Sequence, residues 1–204
     1  PDNGLIINSF PTPSFTGYYS AGLAFSGEYL FFTDPDHTSN IFVLDPETGN
    51  IITYFPTNST YCDGLAYIDP YLYVRDNNNN SIKVLNPTNG NIVRVIYPQV
   101  YLYGGLDGGN NRLFASDGYT VYELNPQNGS VINSFYVNNG AYGLGFTGER
   151  LFTSISWAGI DEYDPNTGSF IRNISSTGYA GLAGGGKHDA KWLVENPENV
   201  TISA

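Results

Sequence analysis

Short apolar runs separated by polar turns repeat along the whole chain, and each repeat contains four runs. The first two runs read "GLAFSGEYLFFTD" from position 22, "GLAYIDPYLYVRD" from 64, "GLDGGNNRLFASD" from 105, "GLGFTGERLFTSI" from 143 and "GLAGGGKHDAKWLVEN" from 181. Apolar residues alternate with others in the second run, and aromatic residues are frequent, which is typical of β-strands. No segment has apolar residues at helical spacing over three turns. The pattern therefore predicts an all-β protein.

A turn of nearly constant sequence joins the third and fourth runs. It reads "DPETG" (45–49), "NPTNG" (86–90), "NPQNG" (125–129) and "DPNTG" (164–168). Asp or Asn at the first position can accept a hydrogen bond from the amide two residues on, and proline presets φ for a type I turn. The closing glycine takes a left-handed conformation that makes a bulge. Each turn therefore predicts a hairpin.

The repeat length predicts the architecture. The units are 38 to 45 residues long, the length of one four-stranded propeller blade. We therefore predict one domain over 1–204, a five-bladed β-propeller of antiparallel blades with the "GL" strand innermost. The blades are approximately 22–63, 64–104, 105–142, 143–180, and 181–204 together with 1–21.

The two ends of the chain supply one blade in this prediction. Read continuously, they give "NVTISAPDNGLIINSF", which aligns without a gap with "NIFVLDPETGNIITYF" at 40–55. The segment from Leu5 to Phe10 is therefore expected to be the outermost strand of the last blade. Two readings stay open: the strand closes its own ring, or it completes the last blade of a neighbouring subunit.

The consensus "GLA-x-x-G-x-LF-x-x-D … I-x-x-LDP-x-TG-x-I-x-x-F" resembles the YVTN/NHL-like propeller repeats of bacteria and archaea, and less closely those of glutaminyl cyclotransferases. The resemblance covers the whole chain. It implies the fold but not one activity, because such repeats occur in surface-layer proteins, lyases, lactonases and binding modules.

Composition narrows the function classes. A net charge of −11 disfavours nucleic acid and anionic lipid as partners, and no apolar stretch is long enough to span a membrane. The single cysteine, Cys62, allows no intrachain disulfide and is expected to be buried. The chain has no methionine, and N-x-S/T sequons favour a secreted or cell-surface glycoprotein. The candidate glycosylation sites are Asn58, Asn79, Asn128, Asn173 and Asn199.

Tyrosines precede each inner strand, at the end where a propeller channel opens. The ligand or interface candidates are Tyr19, Tyr61, Tyr103, Tyr142 and Tyr179, which would line this opening for stacking on sugars or packing in an interface, or would wedge between blades. Asp63 and Asp107 adjoin inner strands and are interpreted as solvated loop acids rather than a cation site.

No residue pattern indicates a catalytic constellation, metal site or cofactor. His37 and His188 lack a recognisable nucleophile partner. Glu28 and Glu149 occupy equivalent positions in hairpins, and Asp34, Asp76 and Asp117 recur at strand ends, where they are expected to accept hydrogen bonds from turn amides.

The predicted function is therefore non-enzymatic. The chain would be an extracellular filament or surface-layer subunit, or an adhesion module, that binds itself or other surface proteins. Two alternatives stay open: a lectin-like propeller that binds glycans, and a channel-centred lyase, lactonase or cyclotransferase.

Overall fold

In the part of the chain that the structure describes, the secondary structure is all β apart from one 3-10 turn at Asn77–Asn79. The computed structural model describes residues 8–11, 22–34, 40–57, 61–155, 159–174, 180–184, 191–195 and 199–203. These residues contain twenty strands, β1 to β20 in chain order.

The strands from β2 to β17 form four antiparallel sheets of consecutive strands, here called blades one to four. Blade one contains β2 (Leu23–Phe25), β3 (Leu30–Asp34), β4 (Asn40–Leu44) and β5 (Ile51–Pro56). Blade two contains β6 (Cys62–Ile68), β7 (Tyr71–Asp76), β8 (Ser81–Leu85) and β9 (Ile92–Ile96). Blade three contains β10 (Leu106–Gly109), β11 (Arg112–Ser116), β12 (Thr120–Leu124) and β13 (Val131–Tyr136). Blade four contains β14 (Gly143–Phe146), β15 (Leu151–Ile155), β16 (Gly159–Tyr163) and β17 (Phe170–Ile174).

The ends of the chain meet in a further sheet. β1 (Asn8–Pro11) pairs antiparallel with β20 (Asn199–Ser203), which continues to β19 (Lys191–Glu195) and β18 (Ala180–Gly184). An all-β propeller of four-stranded antiparallel blades is therefore confirmed. The predicted count of five blades is not confirmed: four blades consist of consecutive strands, and the remaining four-stranded sheet joins the two ends of the chain. Positions 5–7 of the predicted closing strand lie outside the described residues.

One side-chain contact is repeated from each sheet to the next. The closing glycine of each turn has a positive φ of 69° to 75°, and a Cβ there would overlap a large side chain of the preceding sheet's outer strand. The four contacts are Phe10 on Gly49, Phe55 on Gly90, Ile96 on Gly129, and Phe135 on Gly168. Glycine is thus required twice, for its left-handed backbone and for its missing side chain. Phe10 makes the same contact as its repeat equivalents, which places the chain-end sheet beside blade one.

The turns form as the sequence predicts. The side chain of the first residue of each turn accepts a hydrogen bond from the backbone N–H two residues later. These bonds are 2.8 to 2.9 Å long, and they run from Glu47 N to Asp45, from Thr88 N to Asn86, from Gln127 N to Asn125 and from Asn166 N to Asp164. The register shifts by one residue at the end of each third strand, so the predicted bulge is also confirmed.

The core lies between neighbouring sheets. One cluster joins Val74 and Leu65 of blade two to Phe31 of blade one, and another joins Tyr73 to Leu113 of blade three. Cys62 is buried, as predicted. Glu28 and Glu149 are exposed in their hairpins, which confirms their assignment to the surface. Among the described residues, no helix is long and apolar enough to cross a membrane.

Candidate functional site at the mouth of the channel

The blades have two distinct ends. At the turn end lie the Asp/Asn-Pro turns described above. At the opposite end, here called the mouth end, each inner strand begins and each second strand finishes. The pairing of Cys62 with Asp76 and of Gly143 with Ser154 places these chain segments side by side. The predicted tyrosines all precede inner strands, so the described ones belong to the mouth end.

One position at the mouth end differs sharply between blades. The second-strand residue beside the first glycine of the inner strand is Thr33, Ser116 or Ser154 in blades one, three and four. Thr33 Oγ1 accepts a hydrogen bond from Gly22 N at 2.7 Å, and Ser116 Oγ donates one to Ala141 O. In blade two the same position is Arg75, whose side chain is only 2% exposed. A small hydroxyl that bonds the local backbone is thus replaced by a buried guanidinium.

A β-bulge places the partner of Arg75. The register between β6 and β7 shifts between Cys62 and Gly64, so Asp63 is an extra residue in the inner strand. None of the other described inner strands has such a shift against its neighbour. Bulges redirect side chains, and they are frequent beside active sites. The carboxylate of Asp63 lies 2.6 Å from Arg75 Nη2 and is 14% exposed.

The remaining donors of Arg75 distinguish this ion pair from a purely structural one. Arg75 Nε and Nη1 are buried and have no hydrogen-bond partner among the described residues. A buried guanidinium normally finds acceptors for most of its five N–H groups, because leaving them unpaired is costly. Asp63 therefore satisfies one nitrogen of the Arg75 guanidinium, and two other buried nitrogens of the same group have no described hydrogen-bond partner.

Burial raises the pKa of the Asp63 carboxyl above its ordinary value of 3.8. The charge of Arg75 and its hydrogen bond, together with the hydrogen bond from Asn77, oppose this effect. A carboxyl that is desolvated yet held beside a cation is suited to accept and return a proton.

An asparagine-rich loop connects Asp63 to the segment that leads into blade three. Asn77 Nδ2 donates to Asp63 Oδ2 at 2.6 Å, and the backbone N–H of Asn77 donates to Tyr61 O at 3.0 Å. At the other end of the loop, Asn80 has a positive φ of 45°. Its side chain donates to Val100 O at 3.0 Å and accepts from Leu102 N at 2.9 Å. The loop therefore fixes the chain that carries Tyr101 and Tyr103 next to the Asp63 site.

The described tyrosine candidates are exposed at the mouth end. Tyr61, Tyr103 and Tyr142 all present part of their rings to solvent, and the rings of Tyr103 and Tyr142 meet edge to face with centroids 5.9 Å apart. Tyr19 and Tyr179 lie outside the described residues. The structure therefore brings together Tyr103 and Tyr142, and joins them to Asp63 through the Asn77–Asn80 loop.

Other predicted acids have structural surroundings. Asp107 is fully buried and accepts a hydrogen bond from Phe146 N at 2.6 Å, so it ties blade three to blade four. The interpretation of Asp63 and Asp107 as solvated loop acids is therefore wrong. Asp76 accepts from Asn78 N and pairs with Lys83 at 3.0 Å. Asp117 accepts from Tyr119 N and Thr120 N, so the predicted bonds to turn amides are confirmed for Asp76 and Asp117.

The remaining candidates give no second site. Among the residues whose placement is described, no group of three or more His, Cys, Asp or Glu could hold a metal ion. His37, His188 and Asn58 lie outside those residues, as does the side chain of Asp34. Of the other sequon asparagines, Asn79 and Asn128 are exposed, and Asn173 donates through Nδ2 to Asp161 at 2.6 Å. Asn199 lies in β20. Glycosylation of these residues stays a prediction.

Comparisons with known proteins give the fold a precedent. No protein-family profile and no curated protein matches the sequence. Among solved structures, the glutaminyl cyclase of Myxococcus xanthus is similar over 98% of this chain and 95% of its own, with a TM-score of 0.78 and 16% identity. The hydrazine synthase of Kuenenia stuttgartiensis is similar over 94% of this chain and 59% of its own, with a TM-score of 0.57 and 13% identity. At these identities the likeness establishes a shared propeller fold.

The first of these comparisons corrects the predicted function. A filament, surface-layer or adhesion subunit without activity was predicted because the sequence contained no catalytic pattern. That prediction is wrong, because a propeller that matches nearly the whole chain is an enzyme. Sequence reasoning missed Arg75, Asn77 and Asn80. The signal was present in "YVRD", where an arginine stands at a position that is Thr or Ser in three other repeats.

Proposed function

We propose that this protein is a cyclotransferase of the glutaminyl-cyclase type, with its reaction centre at Asp63 and Arg75. The observation that carries the proposal is the bulged, desolvated carboxylate beside a buried and incompletely satisfied arginine. The propeller fold that the chain shares with a glutaminyl cyclase supports it. The proposal includes a ring of five blades, with the chain-end sheet as the fifth. In its support, β18 contacts both β14 and β2.

The reaction is an intramolecular transfer of an acyl group. The α-amino nitrogen of a glutaminyl chain end attacks its own side-chain carboxamide carbon. A carbon–nitrogen bond forms, the bond to the amide nitrogen breaks, and a lactam and ammonia result. One proton must move from the attacking nitrogen to the leaving nitrogen, and no other reactant is consumed.

Asp63 is suited to move that proton. Its carboxylate accepts a proton from the attacking amine and returns it to the departing nitrogen, which makes the leaving group ammonia rather than amide anion. Arg75 and Asn77 hold the carboxylate on both of its oxygens, at 2.6 Å each. Such fixed geometry is what makes a proton transfer efficient. Tyr61 and Tyr103, which are exposed at the same end of the blades, would contact the rest of the substrate.

The test is ammonia release from a short peptide with an N-terminal glutamine, followed together with the mass of the peptide. Wild-type protein should cyclise the peptide, and Asp63→Asn should reduce kcat by about 10²-fold or more. Glu123→Gln is the matched control, because Glu123 is 13% exposed and also pairs with an arginine, but at the turn end. The proposal would be contradicted if the wild-type protein did not cyclise the peptide, or if Asp63→Asn cyclised it as fast as the wild type.

A secreted or cell-surface location belongs to the same proposal. The support is the sequence alone, namely its sequons. Fractionation of the source cells, with blotting of medium and membrane fractions, tests the location.

A further inference from the structure

A line of tyrosines crosses the mouth end of blade three. Tyr103 precedes the inner strand, Tyr119 lies in the hairpin between β11 and β12, and Tyr136 ends the outer strand. Tyr142 leads into blade four. All four are exposed, and we call this set the tyrosine track.

The members of the tyrosine track contact one another or the glycine between them. Tyr103 and Tyr142 meet edge to face at 5.9 Å, and Tyr119 and Tyr136 stack at 6.3 Å with 11° between their planes. Between these pairs lies Gly118, where an added Cβ would be 3.7 Å from the Tyr142 ring. Gly118, which directly precedes Tyr119, therefore brings the second pair of rings close to the first.

The corresponding line in blade two is interrupted. Its outer strand is followed by Tyr97, in the position of Tyr136 and similarly exposed at 68% against 63%. However, the hairpin of blade two is "NNNN", and no described aromatic ring stacks on Tyr97. The track is thus a feature of blade three, and the Asn77–Asn80 loop connects the proposed reaction centre to the segment that leads into this blade.

We propose that the tyrosine track holds the substrate peptide beyond its reacting first residue and favours aromatic side chains there. This inference rests on the proposed function and names the class of substrate that the site selects. Neighbouring strands are about 4.8 Å apart, so crossing four strands covers about 14 Å. An extended chain advances about 3.3–3.6 Å per residue, so roughly four residues would lie along the track.

Charge favours the same occupant. The chain has a net charge of −11, and Asp117, which accepts a hydrogen bond from Tyr119 N, adds an acid to the track. In the described part of blade three, Arg112 is the single basic residue, and it lies at the turn end. The protonated amino end of a substrate peptide is attracted by this negative charge, whereas acidic side chains along the peptide are repelled, including in a lactam-ended product. Each contact between a tyrosine ring of the track and a side chain of the peptide adds a modest amount of binding free energy to this electrostatic attraction.

The test measures binding separately from turnover. Lactam-ended product peptides of about five residues cannot react again, and their affinity is measured by calorimetry. A peptide with Phe at positions three and four should bind about tenfold more tightly than one with Gly there, and one with Asp should bind more weakly still. Tyr103→Ala and Tyr136→Ala should each reduce the preference for Phe by roughly two- to tenfold. Tyr97→Ala is the matched control and should leave it unchanged.

The outcomes separate this inference from the proposed function. Asp63→Asn should lose cyclisation yet keep the preference for Phe. If the wild type cyclises all three peptides equally well and binding shows no preference, the track inference is overturned while the proposed function stands. If no peptide is cyclised but the preference for Phe depends on Tyr103 and Tyr136, the proposed function fails and the track remains a peptide-binding surface. Binding of a neutral oligosaccharide that displaces the peptide and requires the same tyrosines would overturn the peptide assignment.

Discussion

The two ends of the blades use the same kinds of residue for different purposes, as a comparison of two arginines shows. At the turn end, Arg112 binds both oxygens of Glu123 at 2.7 and 2.8 Å, donates to Pro165 O of blade four at 3.2 Å, and lies over the rings of Phe114 and Phe146. At the mouth end, Arg75 contacts Asp63 through one nitrogen, and two others have no partner among the described residues. Arg112 therefore stabilises the contact between blades three and four.

The contacts between blades at the turn end repeat, whereas one position at the mouth end breaks the repeat. The contact of a large side chain with a turn glycine recurs from sheet to sheet, and Arg94 reaches Pro126 O in blade three as Arg112 reaches Pro165 O in blade four. At the mouth end, one repeat position holds Thr, Arg, Ser and Ser in turn. Repeated contacts build the scaffold, whereas the buried guanidinium of Arg75 has two nitrogens with no described partner and an ion pair that stays within blade two, which is costly and joins no blades. The difference points to the mouth end of blade two as the functional region.

The largest expected effect concerns the repeated contact at the turn end. Phe10→Ala and Phe55→Ala should each lower the free energy of unfolding by about 3–5 kcal/mol, because each removes a buried ring that packs on a neighbouring turn. Ile52→Ala, at an exposed outer-strand position, should change it by less than about 0.5 kcal/mol. Urea unfolding measures all three. A Phe10→Ala protein as stable as the wild type would show that the chain ends do not close the ring as the internal blades close on one another.

A smaller effect is expected at the mouth end, and a second substitution should reverse it. Asp63→Gly leaves the guanidinium of Arg75 buried and unpaired, which should cost about 3 kcal/mol. Adding Arg75→Ser gives blade two the residues that blade three has as Gly104 and Ser116, and should recover most of that loss. The double variant should fold but not cyclise peptides. If the double variant were less stable than Asp63→Gly, the ion pair would be part of the scaffold, and the contrast between the two ends would fail.

Sequence predicted the turn end well because its contacts are local and repeated. Asp45 bonds an amide two residues away, and Gly49 adopts its φ within the same turn, so "DPETG" already contains that geometry. The pairing of β1 with β20 was predictable because the joined ends align with an internal repeat. The pair of Asp63 and Arg75 was not predicted, because the two residues are twelve positions apart in the sequence. Their contact depends on a bulge in the inner strand and on the burial of both side chains. A repeat alignment marks Arg75 as different but does not give it a partner.

The smallest expected effect is a difference in the sign of pKa shifts between the ends. Amide hydrogen bonds, from Thr48 to Asp45 and from Asn166 to Asp164, lower the pKa of these two turn carboxyls below 3.8, whereas burial raises that of Asp63. Because folding lowers the pKa of Asp45 and Asp164, these carboxylates stabilise the folded state above pH 3.8, and this stabilisation is lost as the pH falls through their folded-state pKa. Because folding raises the pKa of Asp63, its contribution to the stability of the folded state is present below pH 3.8 and is lost as the pH rises through its folded-state pKa.

Carboxyl carbon shifts in an NMR titration measure these three values directly. Asp45 and Asp164 should titrate below 3.8 and Asp63 above it. The variant Asp45→Asn with Asp164→Asn places in blades one and four the residue that blades two and three have as Asn86 and Asn125, so its turns should persist while part of the acid destabilisation disappears. Should Asp63 titrate below the turn carboxyls, the charge of Arg75 would outweigh burial. The mouth-end carboxylate would then be held ionised like a scaffold ion pair, which would contradict its proposed role in proton transfer.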